Sequence, residues 1–139
     1  MPILKSTLIT ALFFLMAGNV FAQTKTPPKT HLDGKKLYSE NCLSCHQEDG
    51  GGVTSMNPPL IKTSYVLGDK SEIVKIVLKG FGEKVKIQGK YYSNIMPSLS
   101  YLKDDQIAAI LTYVRSHFEN TASAISAEEV KEIRAKLKN

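Results

Sequence analysis

This sequence is short of the residues that most thiol and metal chemistry needs. It has two cysteines and three histidines in 139 residues. A disulfide closed across only two intervening residues would be strained. A structural zinc site takes four ligands, usually as two spaced pairs, and His31, His46 and His117 are too scattered to supply the second pair. A thioredoxin-like dithiol wants a strand–helix–strand setting, and no parallel-strand pattern is present. There are no internal repeats. Beyond residue 22, no apolar run approaches the about 20 residues of a spanning helix. The net charge of +5 does not point to nucleic acid, because the lysines are dispersed and acidic residues interleave with them.

What is present is concentrated in five residues, Cys42-Leu43-Ser44-Cys45-His46. C-x-x-C-H is the attachment pattern of a c-type haem. The two-residue gap puts both sulfurs along one edge of a porphyrin, where they add to its vinyl groups. The next residue turns inward, and its imidazole serves as the proximal axial ligand of the iron. With only these two cysteines, the chain can carry one such haem.

The N-terminus reads as an export signal over residues 1–22. Lys5 is its only charge, Leu8 to Ala17 is apolar, and Val20-Phe21-Ala22 offers small residues for cleavage after Ala22. The alternative is an uncleaved membrane anchor, but Gly18-Asn19 interrupt the run early. No cysteine stands near the cleavage site for lipid attachment. Export agrees with the haem motif, since bacteria attach haem c on the outer face of the inner membrane. A periplasmic location follows, with membrane association only if the segment stays uncleaved. Residues 23–30, with two prolines, read as a flexible leader.

Residues 31–120 read as one small helical domain, and 121–139 as a C-terminal helix packed on it or extending it. Helices are expected over Leu32–Cys42, Ser71–Lys79 and Asp104–Phe118, with Gly34 marking a close approach of another backbone. Ile107, Ile110, Leu111, Val114 and Phe118 share one face of the third. Gly80 ends the second. Gln47–Leu60 is a loop whose Gly50-Gly51-Gly52 permits positive φ or close approach to the haem. In it, Asn57-Pro58-Pro59-Leu60 is stiff and extended, so a carbonyl is free to accept the Nδ1–H of His46. Val85–Tyr91 alternates around Gln88-Gly89 as a hairpin. Tyr92–Tyr101 is a loop holding Met96. Ser126 and Glu129 form a capping box for the last helix.

The second axial position has several candidates in the residues themselves: Met56, Met96, His31, His117, a lysine, water or nothing. Met16 leaves with the signal. Met96 sits in an irregular loop stiffened by Pro97, which can turn a thioether inward, and soft thioether ligation raises the potential. Met56 is in the loop nearer the proximal side. His117 is better placed to satisfy helix-end carbonyls or to face solvent.

Together these residues resemble class I c-type cytochromes over roughly Leu32 to Phe118. The likeness rests on Gly34 and Tyr38, Cys42-Leu43-Ser44-Cys45-His46, Pro58-Pro59-Leu60, Tyr92 with Met96-Pro97, and Ile107 through Arg115. It implies an all-α, small cytochrome c fold: about four to five short helices around one covalent haem, with a minor β-hairpin near 84–92. It implies that the first and last helices cross at Gly34 and Tyr38, near Ile110 and Tyr113. It implies that the Pro58 carbonyl serves His46, that Leu60 packs on the haem, and that Met96 is the distal ligand. The Y-x-x-x-M-P pattern after a V-x-I-x-G hairpin resembles small cytochrome domains serving nitrite reductases, alcohol dehydrogenases and terminal oxidases. Those relatives often carry glycine where Asn94 stands, a residue that also tolerates positive φ, and serine as N-cap where Lys103 stands. The implied function is single-electron transfer between redox proteins by His/Met-ligated iron, without catalytic residues of the chain's own. The alternative is a haem enzyme or gas-binding protein with a labile distal methionine.

Overall fold

The computed structural model describes residues 32–138. The expected signal segment, the leader and His31 lie outside the described residues. Among the described residues, six helices and one antiparallel pair of strands follow in the order α1 (Gly34–Asn41), α2 (Leu43–His46), α3 (Ser64–Leu67), α4 (Lys70–Lys79), β1 (Val85–Ile87), β2 (Lys90–Tyr92), α5 (Asp104–Ser116) and α6 (Ala127–Lys136). α2 and α3 are single turns of four residues, so four helices carry the fold.

α1 starts where Asp33 caps it, its carboxylate accepting from the Lys36 N–H at 3.1 Å. It ends at Cys42, whose N–H donates to the Tyr38 carbonyl. Its buried face, Leu37 and Tyr38, packs on α5. α5 buries Ile107, Ala108, Ile110, Leu111 and Val114. Its first turn lacks a side-chain cap from Lys103, which has no acceptor atom. Gln106 compensates by accepting from the Lys103 N–H at 2.9 Å.

α5 stops at Ser116, short of the expected Phe118. Phe118 and Glu119 take left-handed φ values of 55° and 59°. The reason is that the last carbonyls of the helix find other donors. Ser116 Oγ reaches Thr112, His117 Nδ1 reaches Tyr113, Asn120 Nδ2 reaches Val114, and the Ala122 N–H reaches Arg115. Phe118 therefore leaves the helical stripe and folds back onto Tyr38, with ring centroids 5.2 Å apart.

α3 was not expected from the sequence; Thr63 starts it by accepting from the Val66 N–H. The hairpin turns at Gln88-Gly89, both with positive φ, the backbone that matches strand twist in two-residue loops. Gln88 is held there by its Nε2 donating to the Ile61 carbonyl at 2.9 Å. α6 opens with the expected box between Ser126 and Glu129. It packs on α4 and α5 through the fully buried Val130. Lys70–Glu129 and Arg134–Asp104 pairs flank the contact.

Candidate functional site

The Cys42-Leu43-Ser44-Cys45-His46 run forms the end of α1 and the single turn of α2. The Cys42 carbonyl accepts from the N–H groups of Cys45 and His46, at 3.2 and 3.0 Å. Gln47 then reverses the chain at φ 64°, and the Tyr38 hydroxyl donates to its carbonyl at 2.6 Å. This fixes where the turn ends and hence where His46 points.

His46 Nδ1 lies 3.0 Å from the Pro58 carbonyl oxygen. A carbonyl only accepts, so Nδ1 carries the proton and Nε2 keeps its lone pair. Burial holds the imidazole below its usual titration range, against the opposing pull of the Pro58 bond. The neutral, metal-ligating form therefore prevails at neutral pH. Burial, and secondarily Cys45, pushes the Cys42 thiol up to about 11. Cys45 is exposed, and neither cysteine is in a disulfide.

The strap carrying Pro58 is held against the motif. Gly52, at φ 66°, donates its N–H to the His46 carbonyl. A β-carbon there would stand 2.4 Å from the Asn57 oxygen and 2.6 Å from the Pro58 oxygen. Gly50 and Gly52 take the positive φ expected of this run and press on Phe118 and on the strap, Gly51 meets only Asp49, and none of the three lines the cleft.

Met96 is placed by a different set of bonds. Its N–H and carbonyl pair with Phe81 at 2.8 and 2.9 Å. Ser98 Oγ donates to the Leu78 carbonyl, and the Leu99 N–H to Val77. Asn94 does not take the left-handed conformation that its position suggested. It instead bonds the strap loop, through Nδ2 to Asn57 Oδ1 and N–H to the Met56 carbonyl.

These loops enclose an open cleft with about 1360 Å³ of empty space, solvent at its mouth included. Cys42, Cys45, His46, Pro58, Leu60 and Met96 all line it. Val66, Ile73, Val77, Ile110, Leu111 and Val114 make its walls largely apolar. Among the described residues lining it, His46 is the one imidazole and Met96 the one thioether, and no lysine is present. Met56 is half exposed and outside the lining, as is His117. No three of the described His, Cys, Asp and Glu residues converge into a cage for a bare ion. The donor set fits haem c: two thiols, an imidazole with Nε2 free, a thioether and a wide apolar slot.

Two residues behind the cleft were not singled out from the sequence. Arg115 is 3 % exposed and donates to the carbonyls of Val66, Gly68 and Ser123. Its spacing from Ala108 and Leu111 puts it on the apolar stripe, which was the available signal. Asn120 is also buried and bonds Leu60, Lys62 and Val114. Nothing local marks it, since two of its partners lie about half the chain away.

Comparison with known proteins gives the same picture. The cytochrome c family model matches residues 32–118. The chain is 31% identical over 133 residues to cytochrome c-552 of Thermus thermophilus, covering 89% of this chain and 84% of that protein. It is 32% identical over 111 residues to the fructose dehydrogenase cytochrome subunit of Gluconobacter japonicus, covering 74% of this chain and 22% of that subunit. It is 30% identical over 93 residues to the Cbb3-type cytochrome c oxidase subunit CcoP of Rhodobacter capsulatus, covering 60% of this chain and 28% of that subunit. The chain belongs to the cytochrome c family, whose members carry covalently attached haem c and transfer electrons with it.

Proposed function

We propose that this chain is an exported monohaem carrier of single electrons. Cys42 and Cys45 hold the haem by thioether bonds, His46 Nε2 is the proximal ligand and Met96 the distal one, with Leu60 packed on the haem. Bound haem iron supplies a one-electron couple. The protein excludes water with the Ile110–Val114 wall and fixes the imidazole through Pro58. With His46 and Met96 both supplied by the chain, the bound group would carry single electrons without bond making. The observation carrying this reading is the gathering of both thiols, His46 and Met96 around one apolar cleft.

The absorption spectrum of the haem-loaded protein tests it, read oxidised and reduced, with and without carbon monoxide. Sharp reduced bands unmoved by carbon monoxide are expected. Met96→Ala should keep its haem, bind carbon monoxide and show a lower potential. A mutant matching wild type in both respects would remove Met96 from the ligand set. A wild-type spectrum that carbon monoxide shifts would favour a haem enzyme or gas-binding protein.

We place the mature domain after residue 22 in the periplasm, with 23–30 as leader, 31–120 as the cytochrome domain and 121–139 as its packed C-terminal helix. Among the described residues no helix is long and apolar enough to cross a membrane. N-terminal sequencing of the exported protein should begin at Gln23. Its partners are redox proteins: a dehydrogenase, a reductase or a terminal oxidase. Relatives that are subunits of a dehydrogenase and an oxidase support that class. Val85, Ile87 and Tyr92 of the hairpin line the cleft, while Lys84 and Lys86 flank the exposed Tyr91 ring on the other face, Lys84 Nζ at 4.8 Å. These lysines are in no ion pair among the described residues. An acidic partner surface suits them, and electron transfer to it should slow as salt rises.

A further inference from the structure

Three consecutive residues beyond α5 reach back to the loop that carries Pro58. The ring of Phe118 covers Gly50, where a β-carbon would stand 2.5 Å from Cγ. Glu119 pairs with Lys62 in the open, at 2.7 Å. Asn120, 4 % exposed, does the most specific work. Its Oδ1 accepts from the Lys62 N–H at 2.7 Å, and its Nδ2 donates to the carbonyls of Leu60 at 3.0 Å and Val114 at 2.8 Å. The amide orientation is determined by these partners, because Oδ1 meets an N–H and Nδ2 meets two carbonyls.

Ending a helix requires only the bond to Val114. The bonds to Leu60 and Lys62 are additional. They grip the backbone on both sides of Ile61, and Leu60 is only two residues from Pro58. Pro59, between them, has a fixed φ and is buried, so the strap is stiff. The Leu60 N–H is itself bound to Gly50 at 2.7 Å, and Gly52 lies against the Pro58 carbonyl. A displacement at Leu60 therefore passes to the Pro58 oxygen, with little room for the intervening backbone to absorb it.

We propose that Asn120 is a positioning residue for the axial bond of His46, acting through Leu60, Pro59 and the Pro58 carbonyl. This rests on the reading of His46 as a haem ligand. A well-aligned Nδ1–H···O bond makes the imidazole a stronger donor, which favours oxidised iron. Loosening the strap weakens that bond and raises the reduction potential.

The test uses the haem-loaded protein as wild type, Asn120→Ala and Thr112→Val. The last variant is a control on α5, the helix that Asn120 follows. It cuts the two bonds between Thr112 and Ile125 and touches nothing in the strap. In the reduced protein, nuclear magnetic resonance follows exchange of the His46 Nδ1 proton with deuterium, and an electrode gives the midpoint potential. Asn120→Ala should speed that exchange about tenfold and raise the potential. Thr112→Val should leave both at wild-type values even where its melting temperature falls as far. Wild-type exchange and potential in Asn120→Ala, or equal changes in Thr112→Val, would overturn the proposal. If Asn120→Ala does not accumulate with haem, Asn120→Ser is read by the same two measurements. If wild type itself lacks His46 signals shifted by the haem ring, the ligand reading fails, a result distinct from failure of the Asn120 positioning role.

Discussion

No side chain fits between Gly34 and Ala109. A β-carbon built on Gly34 would stand 2.4 Å from the Ala109 carbonyl oxygen and 2.9 Å from Tyr113 Cβ. The obstacle is backbone, which cannot swing aside as a side chain tip can. α1 is thereby seated directly on α5, with Tyr38 and Tyr113 rings 5.6 Å apart beside the contact.

Gly34→Ala should therefore destabilise the haem-loaded protein by about 1–3 kcal/mol, despite alanine's better helix propensity. Denaturant unfolding measures it. An unchanged or raised midpoint would mean that α1 moves away at no cost.

Arg115→Met should cost about 2–4 kcal/mol, because it orphans the buried carbonyl of Val66 and frees those of Gly68 and Ser123. Arg115→Lys should recover little. A single ammonium does not reproduce a planar fork that serves α3 and the 120s segment at once. Urea unfolding of the three proteins decides the matter, and a wild-type midpoint for the lysine variant would refute the need for the fork.

Glu129 gives a pH-dependent contribution. Its partial burial raises its proton affinity, but the Lys70 ammonium and the Ser126 bonds outweigh that and hold the carboxyl below the usual range. A lowered folded value stabilises above the unfolded value, about 4.3, and the gain is lost as pH falls through the folded value. Glu129→Gln should thus melt lower than wild type at pH 7, by about 0.5–1 kcal/mol given its partial exposure. The gap should close in acid. Melting curves from pH 7 to pH 3 that stay parallel would contradict the Lys70 assignment.

Cys42→Ala with Cys45→Ala should leave haem-free protein that is mostly unfolded. The cleft walls, Ile73, Val77, Ile110 and Leu111 among them, would then enclose nothing. Circular dichroism and proton spectra of the double variant read the outcome. A well-folded apoprotein would show that these helices hold together without a filler.

Local chemistry made much of this structure legible in the sequence. The Ser126–Glu129 box, the Gln88-Gly89 turn and the stripe from Ile107 to Val114 each depend on residues within one or two turns. Phe118 misled because it stands four after Val114 and so continues the stripe. What ends α5 is Asn120 turning back to the Val114 carbonyl, a competition that periodicity does not register. α3 is one turn long, too short for a period. Gly50-Gly51-Gly52 reads as positive φ or close approach to the haem; Gly50 and Gly52 take positive φ, but what they press on is Phe118 and the Asn57-Pro58 backbone, contacts that only the folded chain defines. Arg115 enters the sequence reading only as the end of the run from Ile107, and Asn120 not at all, because the partners that define their roles include backbone atoms of distant segments.

The seating of α1 on α5 also has a consequence in time. It joins α1 to α5, a helix synthesised well after it. Contacts between distant segments must wait for loop closure. While they wait, Cys42, Cys45 and His46 are already present on a chain whose back wall, Ile110 to Val114, has not yet arrived. The thiols are thus open to modification on the unfolded chain, before the wall of the cleft at Ile110, Leu111 and Val114 is in place.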